Sequence, residues 1–265
     1  MATKEQTKPN STPVMIIVFV LLAALIVGGF YYMSSKSTPA TANGNKNTNK
    51  STPAKDASAI PANAPQGAQP PDFTGSPNAA VVLEEFADFQ CPSCGQMHPI
   101  MKQVQSIYGT RIKFIFRNFP LPMHDKAYDA AVAAEAAGLQ GTEKFWAMHN
   151  QLYTNQQTWS ADPNYKQLFK SYAEKSGVDV AKWENDAAGL QAKTRVDSDL
   201  ARGRAIPVGS TPTLFIDGKM VPYPDMNLQT LRQLIDAELT QAASQQSQQQ
   251  APAASAPPAA NGASK

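Results

Sequence analysis

Glu85-Phe86-Ala87-Asp88-Phe89-Gln90-Cys91-Pro92-Ser93-Cys94 is the stretch on which the reading of this chain turns. Cys91 and Cys94 are the only two cysteines in 265 residues, and they stand between an apolar strand-like run and a helix-like one. Three uses of such a pair compete. Bridging so short a loop removes little unfolded-chain entropy, which argues against a structural disulfide. A zinc site takes four ligands, usually with a second Cys pair or a His pair at fixed spacing. The chain has three histidines: His98, one helical turn after Cys94, is placed to face the same way, but His124 and His149 show no ligand spacing. What remains is redox chemistry on the pair, a dithiol cycling with a short disulfide, with Cys91 the attacking thiolate.

Upstream, Val81 to Ala87 is nearly continuous in apolar character around Glu84 and Glu85, as in a central strand covered on both faces. Downstream, Pro92 suits the first turn of a helix. Met97, Ile100, Met101, Val104 and Ile107 keep helical phase from Pro92 to Tyr108, with Gly109 as the stop and Pro99 as a bend. Arg111 to Arg117 alternates as the next strand, so the cysteines sit in a βαβ unit with a right-handed crossover. Helical patterns follow: Asp125 to Ala137, a helix capped by Thr142, one opened by Asp162-Pro163, and one capped by Asp179. Their aromatics at helical spacing read as core, and His149 as a partly buried helix residue. Strand character returns from Thr211 to Val221 around an Asp217-Gly218 turn, and Leu228 to Leu239 closes the domain as a helix.

Outside this domain the composition changes. Residues 14–33 form an uncharged apolar run long enough to span a bilayer, ending in Tyr31 and Tyr32. A cleaved signal peptide is the alternative, with Ala40-Thr41-Ala42 as the small-x-small site, but the run is long for one. Lys4 and Lys8 on one flank are matched by Lys36, Lys46 and Lys50 on the other, so charge does not orient the segment. The redox pair places the C-terminal side outside the cytoplasm. The expected order is a cytoplasmic N-terminus (1–13), a transmembrane anchor (14–33), a disordered linker (34–72), the folded domain (73–240) and a low-complexity tail (241–265). The net charge of +2 has no basic block or basic–aromatic stripe behind it, which argues against a nucleic-acid partner, and no Gly-rich phosphate loop is present.

Three segments, Glu85 to Cys94, Phe116-Arg117-Asn118-Phe119-Pro120-Leu121 and Ser210-Thr211-Pro212-Thr213-Leu214-Phe215-Ile216-Asp217-Gly218, resemble the DsbA family of thioredoxin-fold disulfide oxidoreductases. The similarity is closest to its membrane-anchored or secreted bacterial members, covers the whole folded domain, and keeps the family's order. It implies an α/β thioredoxin core interrupted by a helical domain at about 122–206. It also implies a cis Thr211-Pro212 peptide facing the cysteines, where an extended substrate can pair as an added strand. Pro92 and Ser93, between the cysteines, tune the pair. Ser93 stands where strongly oxidising relatives often carry histidine, and Ser210 where many have glycine.

At a helix N-terminus the Cys91 thiol is expected to fall from about 8.5 into the range of about 3.5–7.5. The resemblance makes Glu85 a buried acid that accepts the proton of Cys94; the residues alone leave open a strand glutamate paired with Lys113. The chemistry needs no cofactor beyond the redox-active disulfide. The expected partners are exported proteins during folding and a quinone-linked membrane oxidase. A reductase or isomerase of the same fold, or a chaperone-like binding module, remains open beside the oxidase.

Overall fold

The computed structural model describes residues 58–250 of the chain. The anchor expected at 14–33, the first part of the linker and the end of the tail lie outside the described residues. Among the described residues no helix is long and apolar enough to cross a membrane.

The strand read at the sequence level forms as β2 (Val81–Ala87), preceded by a short β1 (Asp72–Gly75). Helix α1 (Pro92–Tyr108) continues through Pro99 and stops at Gly109, whose φ is +52°. Then come β3 (Ile112–Asn118), α2 (Ala127–Gly138), α3 (Thr142–Thr154), α4 (Gln156–Ala161), α5 (Tyr165–Lys175), α6 (Val180–Ala188) and α7 (Leu190–Ala205). The chain returns to the sheet as β4 (Thr213–Ile216) and β5 (Lys219–Val221) and ends in α8 (Leu228–Gln250). The sheet order is β1-β3-β2-β4-β5, with β2 and β3 parallel and the other pairs antiparallel. This is a thioredoxin core, and α2 to α7 are the helical insertion between β3 and β4.

Two apolar clusters hold it together. Leu83, Ile112, Phe114, Leu214 and Ile216 of the sheet pack with Met97, Met101 and Val104 of α1 and with Leu231 and Ile235 of α8. Phe86 sits edge-on to Phe119 and Phe215 in the other cluster, which runs on into the insertion through Phe145, Trp159 and Trp183. At the β4–β5 turn Asp217 and Gly218 both take positive φ (48° and 77°), the two-residue turn whose twist matches a hairpin.

Two helix starts differ from expectation and a third matches it. Thr142 is the first residue of α3, with Gly141 at the cap. Helix α5 starts at Tyr165 with Asn164 at its cap, and Asp162 instead accepts from the Asn164 N–H (2.7 Å). Asp179 does cap α6, accepting from the Lys182 N–H. The expected tail also starts later: α8 runs on to Gln250, because Ala and Gln propagate a helix well and no proline intervenes before Pro252.

The largest correction concerns the end of the expected linker. Residues 58–71 lie on the domain, held by polar groups along their backbone, with Ile60, Ala64 and Ala68 packed inward. Ala59 bridges Lys219 and the Ile60 N–H donates to Gly218. Arg117 donates to the carbonyls of Gln66 and Ala68, and Arg202 to that of Pro65. Asp199 accepts from the Ala68 and Asn118 N–H groups and from Arg117. Gly67 (φ +76°) passes so close that a Cβ there would stand 2.8 Å from Arg117 Nη1 and Asp199 Oδ1. Arg117 also pairs with Glu84 at 2.7 Å, and the side chains of Arg117, Glu84 and Asp199 are at most 8% exposed. Replacing Arg117 by Met leaves Asp199 buried without its ion-pair partner and Glu84 with Arg202 alone. The expected cost is about 3 kcal/mol, read by urea unfolding; a loss below about 0.5 kcal/mol, the size of an ordinary surface substitution, would refute this account of the segment.

Candidate active site

The geometry of α1 places the cysteines. Cys91 is its N-cap residue, in extended conformation (φ −69°, ψ 122°), and Pro92 occupies the first turn where its missing N–H costs nothing. Both cysteines are free thiols, Cys91 7% and Cys94 1% exposed. Cys94 donates its S–H to the Cys91 sulfur, and the Ser93 and Cys94 backbone N–H groups add to the pull. Together they bring Cys91 down to about 5 against the burial that opposes ionisation. Burial, the hydrogen bond to Cys91 and the charge on it push Cys94 well up. One sulfur is thus a thiolate at neutral pH and the other keeps its proton, an asymmetry created by the helix start and the three-residue spacing.

The Thr211–Pro212 peptide is cis, as expected, and lies against the pair: the Thr211 carbonyl is 3.4 Å from Cys91 Sγ. Thr211 Oγ1 is buried without a hydrogen-bond partner among the described residues, which makes it a donor available to the Cys91 thiolate. Beside Pro212 a cleft of about 220 Å³ is lined by Ser93, Met97, Ile100, Tyr223 and Met226. On the other side of Pro92 a polar groove is lined by Gln90, Gly95, Tyr153, Asn155 and Gln156.

The two neighbouring glutamates of β2 point to opposite faces of the sheet and have opposite fates. Glu84 is bound by Arg117 and Arg202 and is held below the usual carboxylate range. Glu85 has no such partner among the described residues, and burial alone pushes it up to about 8. The pairing with Lys113 does not form; the Lys113 ammonium sits over the Phe73 ring. Glu85 is near enough to Cys94 that its ionisation raises the thiol further.

Gln156 and Gly95 shape the site but carried no signal in the sequence. Gln156 Nε2 donates to the carbonyls of Phe89 (2.7 Å) and Cys91 (2.8 Å), tying the insertion to the cysteine loop. Its Oε1 would collide with a Cβ on residue 95, so Gly95 is the residue that lets the clamp close. His98 does lie on the Cys94 side of α1, stacked on Tyr153 at 5.0 Å; burial, with Lys102 nearby, lowers it to about 4, so it is neutral. His149 is enclosed by Phe89, Phe116, Phe145, Trp146 and Tyr153, and burial holds it neutral too.

A thioredoxin core with a Cys-x-x-Cys pair at the start of its first helix, opposite a cis-proline, defines the class of thioredoxin-fold dithiol proteins. Residues 68–237 match the profile of the family described as Thioredoxin, so the chain belongs to the thioredoxin family, with a helical domain inserted between β3 and β4. Among curated proteins it is 35% identical over 148 residues to the Na(+)/H(+) antiporter NhaA 1 of Mycolicibacterium gilvum. That match takes in 55% of this chain and 23% of the antiporter, so the chain spans less than a quarter of that relative's length. It is 28% identical over 173 residues to a probable disulfide bond formation protein D of Bacillus cereus, covering 62% of this chain and 77% of that protein. Among solved structures, BdbD from Bacillus subtilis (oxidised) superposes with a TM-score of 0.58 at 22% identity, over 67% of this chain and 98% of that one. The thiol-disulfide exchange protein alpha-DsbA2 from Wolbachia pipientis gives 0.55 at 22% identity, over 62% and 85%.

Proposed function

We propose that this chain is a thiol-disulfide oxidoreductase that donates the Cys91–Cys94 disulfide to exported proteins. The observation that carries the reading is the split between the two thiols, Cys91 at about 5 and Cys94 well up. A substrate thiolate attacks Cys91 Sγ and breaks the Cys91–Cys94 bond. The Cys94 sulfur leaves with the electron pair and takes a proton, for which Glu85, protonated below about pH 8, is the donor. A second substrate thiolate then attacks the substrate sulfur of the mixed disulfide and expels Cys91 as a stable thiolate. The substrate is oxidised and the pair is left as one thiolate and one thiol. A good Cys91 leaving group favours this direction. The apolar cleft beside Pro212 and the backbone edge at Thr211 suit an extended, unfolded segment as substrate.

In the same reading residues 14–33 anchor the domain on the outer side of a cell membrane, where disulfides persist, and a quinone-linked membrane oxidase restores the disulfide. No cofactor other than the disulfide itself is required. The test is equilibration of the full-length chain with glutathione buffers. A reduction potential of about −120 to −180 mV is expected, as for proteins that donate disulfides. A value of about −270 mV, like thioredoxin, would overturn the donor reading in favour of a reductase.

A further inference from the structure

The exchange chemistry leaves one buried carboxylate next to the cysteines unused. Asp88 is 1% exposed and stands three residues before Cys91. Its backbone touches both members of the pair: its N–H donates to Cys94 Sγ (3.5 Å), and its carbonyl accepts from the Cys91 N–H (3.1 Å). Its side chain is held from three directions. Oδ1 accepts from the Gln90 N–H (2.7 Å), and Oδ2 accepts from the Leu121 N–H (2.8 Å) and lies 2.6 Å from His124 Nδ1.

The donors on Oδ2 belong to the loop that follows β3, and the same loop grips Gln90. Gln90 Nε2 donates to Asp125 Oδ1 (2.8 Å), and Gln90 Oε1 accepts from the Lys126 N–H (2.7 Å). The segment 88–90 is thus strapped to 121–126 by bonds that neither segment can make alone. Three donors on one carboxylate fix its plane, and with it the backbone that carries the N–H aimed at Cys94.

We infer that Asp88, held by His124, is a positioning residue for the thiol pair, orienting Cys94 so that its S–H points at Cys91. A thiol sulfur that accepts from the Asp88 N–H has its proton free to donate on the far side. If the Asp88 backbone drifts, Cys94 turns and its thiol no longer donates to the Cys91 thiolate. The effect passes through geometry, so Asp88 itself exchanges no proton with substrate. The inference rests on the proposed exchange chemistry.

Asp88→Asn is the first variant, because an amide is isosteric but presents an NH₂ to a site built from donors. His124→Asn is the second; it keeps an N–H near Oδ2 and serves if Asp88→Asn folds poorly. Reduced full-length chains are titrated by thiolate absorbance at 240 nm, equilibrated with glutathione, and melted. In Asp88→Asn the thiolate fraction at pH 5 is expected to fall about fivefold, and the glutathione equilibrium to shift about fivefold toward the disulfide form. His124→Asn is expected to move both the same way by about twofold. A role in folding alone would lower the melting temperature and leave both redox readouts where they are, and that result in folded variants overturns the inference. A wild-type chain without a thiolate below pH 7 and without exchange overturns the functional reading as well. A wild-type chain that exchanges normally while both variants match it overturns the positioning role alone.

Discussion

Cys91→Ala is expected to reduce oxidation of a dithiol peptide by about 10³-fold or more, to the background of the redox buffer. With Cys91 gone there is no disulfide to transfer, and the remaining thiol, Cys94, is 1% exposed and holds its proton. Cys94→Ala behaves differently. Cys91 can still attack a substrate disulfide, but no neighbouring thiol resolves the product, so a mixed disulfide accumulates and is seen as a covalent mass increase. In the wild-type reduced protein the attack rate rises through about pH 5 and is level above it, because Cys91 is ionised from there upward. The folded value of Cys91 lies below its ordinary 9.0, so the reduced form gains stability from pH 5 toward pH 9 and loses it on acidification through about 5. The reduced form is therefore expected to melt above the disulfide form at neutral pH. Turnover by Cys91→Ala at a rate near wild type would end the redox reading of the pair.

Glu85→Gln is expected to stabilise the domain and slow it. Burial raises the carboxyl from 4.5 to about 8, so the folded state holds a proton that the unfolded state releases. For a raised acid the cost begins near pH 4.5, grows as pH rises, and is complete above about 8. Removing the charge at this site yields about 3 kcal/mol at pH 7 and about 4–5 kcal/mol above pH 8 as order-of-magnitude figures, and nothing below pH 4.5. At pH 7 that corresponds to about 6–12 °C in melting temperature for a domain of this size. The same change removes the group proposed to exchange a proton with Cys94, so the step that forms or breaks the Cys91–Cys94 bond is expected to slow by about 10²-fold. A melting-temperature gain that is equal at pH 4.5 and pH 8 would show that the carboxyl is not shifted, and an unchanged rate would remove Glu85 from the mechanism. The combination of gain and loss is what a functional group kept at a cost to stability produces.

The thioredoxin core was legible because its signals are local. The apolar run from Val81 to Ala87, the helical phase from Met97 to Val104 and the Asp217-Gly218 turn each depend on a few consecutive residues, and β2, α1 and the β4–β5 hairpin form at those places. The cysteines, Glu85 and Thr211-Pro212 followed from motifs with equally short spacing. Composition misled where a segment is held by polar groups elsewhere. Residues 58–71 carry a single large aliphatic, Ile60, too little to mark a folded stretch, yet Arg117, Asp199 and Arg202 hold the segment's backbone from far along the chain. Gln156 lies in a short helix whose sequence gives no hint that it reaches the carbonyls of Phe89 and Cys91.

The adjacent glutamates show the division most clearly. Their sequence places Glu84 and Glu85 on a buried strand and, by the two-residue period, on opposite faces. Which of them is neutralised depends on guanidinium groups 33 and 118 residues away, brought to one face by the β2–β3 pairing and by α7. The same holds for Asp88, whose partner His124 is 36 residues on. Local periodicity determines where a side chain points; only the packed chain decides what it meets there, because Coulomb and hydrogen-bond partners are chosen by distance in space.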